Sequence, residues 1–399
     1  MKSGWQTKTL GEVCDVVNGG TPKTGVREYW GGNHLWVTPA EMGKRLSPYV
    51  SDTERKITDL GLRDSSARML PPNSVILSSR APIGHLVINT DPMATNQGCK
   101  GLIPGKQLQH KFLYYYLSSA VDLLNSLGTG ATFKELSGGK LKEVTVPVAP
   151  LPEQQRIVNI LDEAFDGIAT AKANAEKNLQ NARALFESHR QCVFTQRGKG
   201  WMEKPFEAVV DADCSLSYGI VQPGDEYPNG LPIVRPTDLT KRAIYLDGLK
   251  RIDPKLADSY KRTTLQGGEL LLCVRGSTGV ISKAAPELAG GNVTRGIVSI
   301  RFNRALIIQD FGYYLMTSEA VQSQIREKTY GAALMQINIR DLRNIALSFP
   351  PLTEQSAMTD KLDALAGETQ RLESIYQRKL AALDALKKSL LHQAFSGQL

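Results

Sequence analysis

Residues 153–195 contain no proline and carry apolar residues at helical spacing, and a second run of the same kind closes the chain. At 1.5 Å per residue the first run amounts to about 64 Å of helix, more than a compact domain needs for its own interior. Each run opens on the same phrase, Pro150-Leu151-Pro152-Glu153-Gln154 and Pro351-Leu352-Thr353-Glu354-Gln355, at an offset of 201. Carried forward, that offset places Ile157, Leu161, Ala164, Ala171, Ala175, Leu179 and Ala182 on Met358, Leu362, Leu365, Leu372, Tyr376, Leu380 and Leu383. The chain therefore repeats a long helix, and with it a module. The Ala171, Ala175, Leu179 spacing adds a residue to the alternating pattern of threes and fours, so the apolar seam is expected to drift locally.

The segments before the two helices echo each other as well. Val37-Thr38-Pro39-Ala40-Glu41 matches Val234-Arg235-Pro236-Thr237-Asp238, and the stretch from Ile76 through Arg80 to Gly84 matches that from Leu271 through Arg275 to Gly279. Tyr114-Tyr115 answers Tyr313-Tyr314, and Gly130-Ala131 answers Gly331-Ala332. Short apolar runs between glycines and prolines, such as those at 74–77 and 86–88, read as strands, residues 112–124 read as a helix, and 144–146 as a last strand. The fold class expected is α+β: two similar domains at 1–150 and 197–351, and long helices at 151–196 and 352–399. The join from Phe194 to Trp201 resembles the join that Phe395–Leu399 and Met1–Trp5 would make, so the repeat closes on itself. Helices arranged that way run antiparallel, with their seams packed as a coiled coil and pseudo-two-fold symmetry between the modules.

With 399 residues, 41% hydrophobic and 22% charged, the chain is long enough for two cores. The net charge of +8 favours a polyanionic partner, and the first half carries more of it: 24 basic and 18 acidic residues precede Trp201, against 24 and 22 from there on. Five scattered cysteines show no metal-ligand spacing and read as buried thiols in a reducing cytoplasm, and no stretch is long and apolar enough for a membrane span. Catalytic motifs are missing. Pro71-Pro72-Asn73 is in the wrong order for an amino-methyltransferase, no nucleotide-binding P-loop occurs, and Leu136-Ser137-Gly138-Gly139-Lys140 resembles an ATPase signature that works only beside such a loop.

In order, duplication and coupling to paired helices, these phrases resemble the specificity (S) subunit of type I restriction-modification systems over essentially the whole length. Asn18-Gly19-Gly20-Thr21-Pro22, Tyr29-Trp30-Gly31-Gly32 and the run from Leu35 to Met42 carry the likeness in the first module. In the second it rests on the run from Leu231 to Leu239 and on Val274-Arg275-Gly276-Ser277-Thr278-Gly279. The resemblance implies a non-catalytic subunit whose two target-recognition domains each read half of a split, asymmetric double-stranded DNA target, with the helix pair setting the spacer. It also implies two methylation subunits and two restriction motor-nuclease subunits as partners. S-adenosylmethionine, ATP and Mg2+ would belong to them, leaving this chain without a cofactor, metal or catalytic residue of its own.

Candidate DNA contacts are basic and amide residues in loops that leave strands, since phosphate contacts position a domain and forked side chains read base edges. Arg80 and Arg275 stand at matched places; each reads as a DNA contact or as a brace that holds a turn through a carboxylate. Asn96, Gln97 and Lys100 follow the first arginine and Arg295 the second, and Arg235 lies in the matched Pro-containing phrase. Lys44-Arg45 and Lys241-Arg242 form paired basic steps, suited to phosphate or to plain solvation. The loop ending at Lys134, and the one bearing Gln336 and Asn338, bring glycine-rich backbone close enough for contact. The tyrosine runs sit in apolar helical surroundings and are expected in the core. A coiled-coil scaffold whose domains bind proteins is the competing reading; it predicts no salt-sensitive DNA binding.

Overall fold

The computed structural model describes residues 4–130 and 134–399, which form two compact units, Met1–Glu176 with Gln377–Leu399, and Lys177–Tyr376. The long helices run Leu151–Thr195 and Leu352–Ser396, and the unit boundaries fall inside both of them. Each unit therefore holds a mixed α and β domain, the stretch of long helix that follows it, and part of the other long helix.

In the first unit a five-stranded sheet has the order Cys14–Asn18, Cys99–Pro104, Val75–Ser79, Ile83–Asn89, Tyr49–Val50, antiparallel except for the last pair. A three-stranded sheet of Arg55–Ile57, Trp30–Val37 and Met93–Thr95 adjoins it, and Gln6–Thr9 pairs with Thr145–Val148. The central strand Val75–Ser79 is buried along its whole length because both faces are covered, which is why Val75-Ile76-Leu77 run apolar without alternation and Ser78 and Ser79 follow as small residues. The second unit repeats the plan. Its Leu270–Cys273 strand, likewise buried throughout, lies between Ile281–Ala284 and Ile297–Ile300, with three further strands in a separate sheet and Met202–Pro205 paired with Ala346–Phe349. It lacks the first unit's edge strand, since residues 214–218 form none.

Helix α1 (His110–Ser119) carries the first tyrosine run and α3 (Gln309–Thr317) the second; the long helices are α2 (Leu151–Thr195) and α4 (Leu352–Ser396). The helix expected over 112–124 is broken at Ala120, whose backbone (φ −98, ψ 8) leaves the helical region before a new helix starts at Val121. Tyr115, Tyr116 and Tyr314 are buried, as their apolar surroundings predict. The Tyr115 hydroxyl donates to Asp162 on α2, which also pairs with Lys111 at 2.6 Å. At the equivalent place Tyr314 donates to Asp363 on α4 at 2.5 Å. Burial pushes both phenols above their ordinary range, and the carboxylates that accept their protons reinforce the shift.

The paired Pro-Leu-x-Glu-Gln phrases owe their form to the last residue. Gln154 and Gln355, in the first turn of α2 and α4, are both fully buried. The Gln154 amide donates to the carbonyls of Gln107 (2.9 Å) and Ala149 (2.7 Å), and its oxygen accepts from the Gln109 backbone N–H at 2.9 Å. Gln355 repeats each bond, to Leu306 (2.7 Å), Pro350 (2.8 Å) and the Ile308 N–H (2.8 Å). Each glutamine thus ties the start of a long helix to the loop that leads into the tyrosine helix of the same unit. The partners are all backbone groups, and the bonds to the Ala149 and Pro350 carbonyls are fully buried.

Within the first unit α2 and α4 run antiparallel: Arg156 donates to the Leu399 carbonyl and Lys172 to Asp384, both at 2.8 Å. Arg183 and Glu373 make the corresponding pair in the second unit at 2.7 Å. Of the expected seam on α2, Ile157, Leu161, Ala175 and Ala182 are buried and Ala164, Ala171 and Leu179 half-buried, while Ile168, not counted in that seam, is buried as well. The join at the helix ends is also duplicated. Phe395 stacks edge-on with Phe112 (5.1 Å), as does Trp5 (6.3 Å), and in the second unit Phe194 and Trp201 pack into the equivalent core. Met1–Ser3, part of the expected join, lie outside the described residues.

Four of the five free thiols are buried; Cys192 on α2 is exposed, against the expectation for all five. Burial pushes Cys14 and Cys99 up to about 12, so neither forms a thiolate near neutral pH. A thiol reagent applied to the folded chain at pH 8 should therefore modify one cysteine rapidly, and Cys192→Ser should remove that fast phase in a stopped-flow absorbance trace. A second expectation concerns the buried amides. Gln154→Leu or Gln355→Leu leaves three backbone groups unpaired, each worth about 1–3 kcal/mol. Either substitution should lower stability by several kcal/mol in urea unfolding, far more than exposed Gln155→Leu.

Candidate nucleic-acid interface

The strand Val75–Ser79 ends at Arg80, and Leu270–Cys273 is followed after one residue by Arg275. Each arginine then enters a single-residue antiparallel bridge with a loop from later in its unit: Arg80 with Glu135, and Arg275 with Gln336. The loops close the same way. Thr129 and Glu135 exchange backbone hydrogen bonds at 3.0 and 2.9 Å, and Tyr330 and Gln336 do so at 2.9 and 2.8 Å. Leu136 then donates to the Ser79 carbonyl (2.9 Å), as Ile337 does to that of Val274 (3.0 Å). A third segment completes each cluster. Ser79 bonds the Gly98 carbonyl (2.7 Å) and Val274 that of Gly296 (2.8 Å), which puts Gln97 and Arg295 at equivalent, exposed turn tips.

Close backbone approach holds these segments down. A Cβ on Gly19 would lie 1.9 Å from the Asn96 carbonyl oxygen, and one on Gly219 2.0 Å from that of Val293, so both crossings exclude any side chain.

The two clusters share a frame and differ in chemistry. In the first unit Arg80 (36% exposed) faces Glu135 at 3.9 Å, a loose ion pair, with exposed Lys134 alongside. In the second, the residue bridged to Arg275 is the neutral Gln336, and the Arg275 Nε is buried with no hydrogen-bond partner. Arg275 and Arg295 carry no ion pair among the described residues, so their charge is uncompensated locally. Guanidinium forks beside amide or carboxylate groups are the side chains that discriminate guanine, adenine and cytosine edges.

Other candidates are held elsewhere. Asn96 is used twice within its turn, donating to Thr21 (2.9 Å) and accepting from the Gly98 N–H (2.8 Å). Lys100 is only 6% exposed, and burial holds its ammonium below the ordinary lysine range. Asn338 caps the helix Ile339–Arg343 by accepting from the Asp341 N–H at 2.9 Å, and Ser137 caps Gly138–Glu143 in the same way, the role that the ATPase-like phrase plays here. Arg235 is paired with Asp238 at 2.9 Å. Lys44 pairs with Glu54 (3.2 Å), while Arg45 bonds buried Glu41 (2.7 Å) and the Asp52 carbonyl (2.5 Å). Lys241 is exposed, whereas Arg242 pairs with Asp363 at 2.7 Å and lies over Tyr313 and Tyr314 at 4.7 and 5.0 Å from the ring centres. Residues 131–133 of the first glycine loop lie outside the described residues.

Sequence reading passed over Glu135, the partner of Arg80, and the exposed Tyr330, Leu334 and Met335. The Gly130-Ala131 and Gly331-Ala332 echo, followed five residues on, leads to Glu135 and Gln336. Among the described residues no cluster of three or more His, Cys, Asp or Glu forms a metal site, and no helix is long and apolar enough to cross a membrane.

Comparison with known proteins bears on both units. The family described as Type I restriction modification DNA specificity domain matches residues 2–180 and 222–379. The MjaIX specificity subunit of Methanocaldococcus jannaschii, a type I restriction enzyme component, is 36% identical over 186 residues, 46% of this chain and 43% of that protein. The EcoBI specificity subunit of Escherichia coli is 23% identical over 355 residues, 82% of this chain and 74% of that one. Against MjaIX, then, the chain spans less than half of its relative's length. Among solved structures, a chain from work on complex assembly and conformational transition of the type I R-M system superposes with a TM-score of 0.80 at 19% identity, covering 100% of this chain and 99% of that one. The HsdS subunit from Thermoanaerobacter tengcongensis gives 0.64 at 18%, covering 100% and 98%. At such identities the likeness is one of fold.

Proposed function

Since the chain belongs to the type I restriction-modification DNA specificity family, we propose that it is the non-catalytic subunit that reads a bipartite, asymmetric DNA target, one half-site per unit. The observation that carries this reading is the pair of clusters on one frame, Arg80 with Gln97 and Glu135, Arg275 with Arg295 and Gln336. Equivalent placement suits two halves of one duplex, and different chemistry suits two different sequences. The α2 and α4 pair serves as the ruler for the unspecified spacer. Methylation subunits that bind S-adenosylmethionine and flip the target base, and restriction subunits that use ATP and Mg2+, supply the chemistry; extrusion and modification of a base need a closed pocket of their own.

Binding to a target duplex should weaken steeply with salt, which separates this reading from a protein-binding scaffold. Arg80→Ala and Arg275→Ala should each weaken recognition of a different half-site by about 1–3 kcal/mol, the range for a lost bidentate base contact. Competition titrations with duplexes altered in one half-site check this; equal losses on specific and random DNA would mark phosphate contacts instead. For the ruler, inserting about four residues after Ala175 and after Tyr376 adds roughly 5 Å of helix. Methylation profiling of cells carrying that variant should show unchanged half-sites and a spacer longer by about one or two base pairs, from the 3.4 Å rise of duplex DNA.

A further inference from the structure

The loop that closes on Tyr330 and Gln336 carries an apolar tip for which the fold has no use. Tyr330, Leu334 and Met335 are 49%, 45% and 43% exposed, and Val280 on the adjoining turn is 39% exposed. The first unit builds the same closed loop with Thr129 and Lys134 where the second has Tyr330 and Met335, so closure does not depend on apolar residues at these points. What the loop does require is backbone. The Met335 carbonyl accepts from the Gly276 N–H (2.8 Å) and the Thr278 hydroxyl (3.2 Å), fixing the tip over the turn that follows Arg275. A Cβ at Gly276 would lie 3.9 Å from a Leu334 methyl, which places that side chain over the turn, in the open.

Large apolar side chains grouped in solvent mark a binding surface, and their neighbours define the occupant. Arg275, Arg295 and Gln336 are the donors and acceptors of a base-reading edge, and in the major groove the one apolar group a base pair displays is the C5 methyl of thymine. The geometry points to Leu334 and Met335 as specificity-determining residues that contact thymine methyl groups in the half-site read by the second unit. The first unit, which carries Lys134 in the place of Met335, presents a charge there instead of an apolar group. The inference rests on the function proposed above and adds to it a chemical identity for part of one half-site.

Deoxyuridine removes the methyl and leaves thymine's hydrogen-bonding edge intact, which makes it the probe. The full chain, assembled with its methylation subunits, is titrated with target duplexes in which each thymine is replaced singly by deoxyuridine. The half-site of the second unit is identified as the one whose recognition Arg275→Ala alters. At one thymine or more in that half-site the replacement should weaken binding about three- to five-fold, the worth of one buried methyl-sized group. Leu334→Ser with Met335→Ser should abolish the difference between thymine and deoxyuridine there, while recognition of the other half-site stays intact and reports that the protein is folded. A half-site without thymine, a wild-type protein indifferent to every replacement, or a discrimination that survives in the double variant would each overturn the inference. So would equal weakening on thymine and deoxyuridine duplexes, which would describe a wedge between base pairs. Failure to prefer the target over random DNA would instead refute the parent reading.

Discussion

A helix of 45 residues has an apolar side that must be covered, and no single domain of this chain is long enough to cover it. Isolated helices gain little from propensity; their stability comes from burying one face against a partner. Here the partner is the other long helix. Ile157 and Leu161 find it in the last turns of α4, where Leu391 and Ala394 are buried in the same cluster, and Leu362 shares a cluster with Phe194 and Phe186 in the second unit. Along the middle of α2 the buried seam residues are the small Ala175 and Ala182. The rest of each unit hangs on that pairing, through one glutamine at the helix start and one tyrosine hydroxyl two turns further on.

Periodicity, duplication and the tyrosine helices were plain in the sequence because each is a pattern of residue types at fixed spacing. The sites were legible only where the two modules agree. Arg80 and Arg275 stand out by equivalence, but their opposite numbers, Glu135 and Gln336, share neither charge nor flanking residues, and a one-residue bridge leaves no periodic trace. Lys100 looked exposed because it follows polar residues, whereas it belongs to the strand Cys99–Pro104, between neighbours on both sides. Arg242 looked like a surface cation because Asp363, 121 residues away, could not be anticipated. There burial pushes the Asp363 carboxyl up, and its bonds with Tyr314 and Arg242 outweigh this, leaving it below the ordinary carboxylate range. The break at Ala120 is announced by no residue type at all, since alanine favours the helix.

The units also show how far a repeat can diverge while its frame holds. The second has lost the edge strand that the first forms at Cys14–Asn18, and the cation beside the latch carboxylate comes from α1 in one case (Lys111) and from a distant loop in the other (Arg242). Position 310, which answers Lys111, holds an aspartate bonded to Lys283 instead. Charge has been rearranged around a constant hydroxyl-to-carboxylate bond.

The side chains of Gln154 and Gln355 hydrogen-bond main-chain carbonyls and N–H groups of the preceding domain and none of its side chains. That part of the joint is blind to sequence: it asks only that the preceding chain bring the same few backbone groups to the helix start, and leaves side-chain matching to the tyrosine-to-carboxylate bond two turns on. The first turn of each long helix is therefore a socket for main chain, and the domain in front of it is free to vary in its surface residues so long as the chain still turns correctly into that turn.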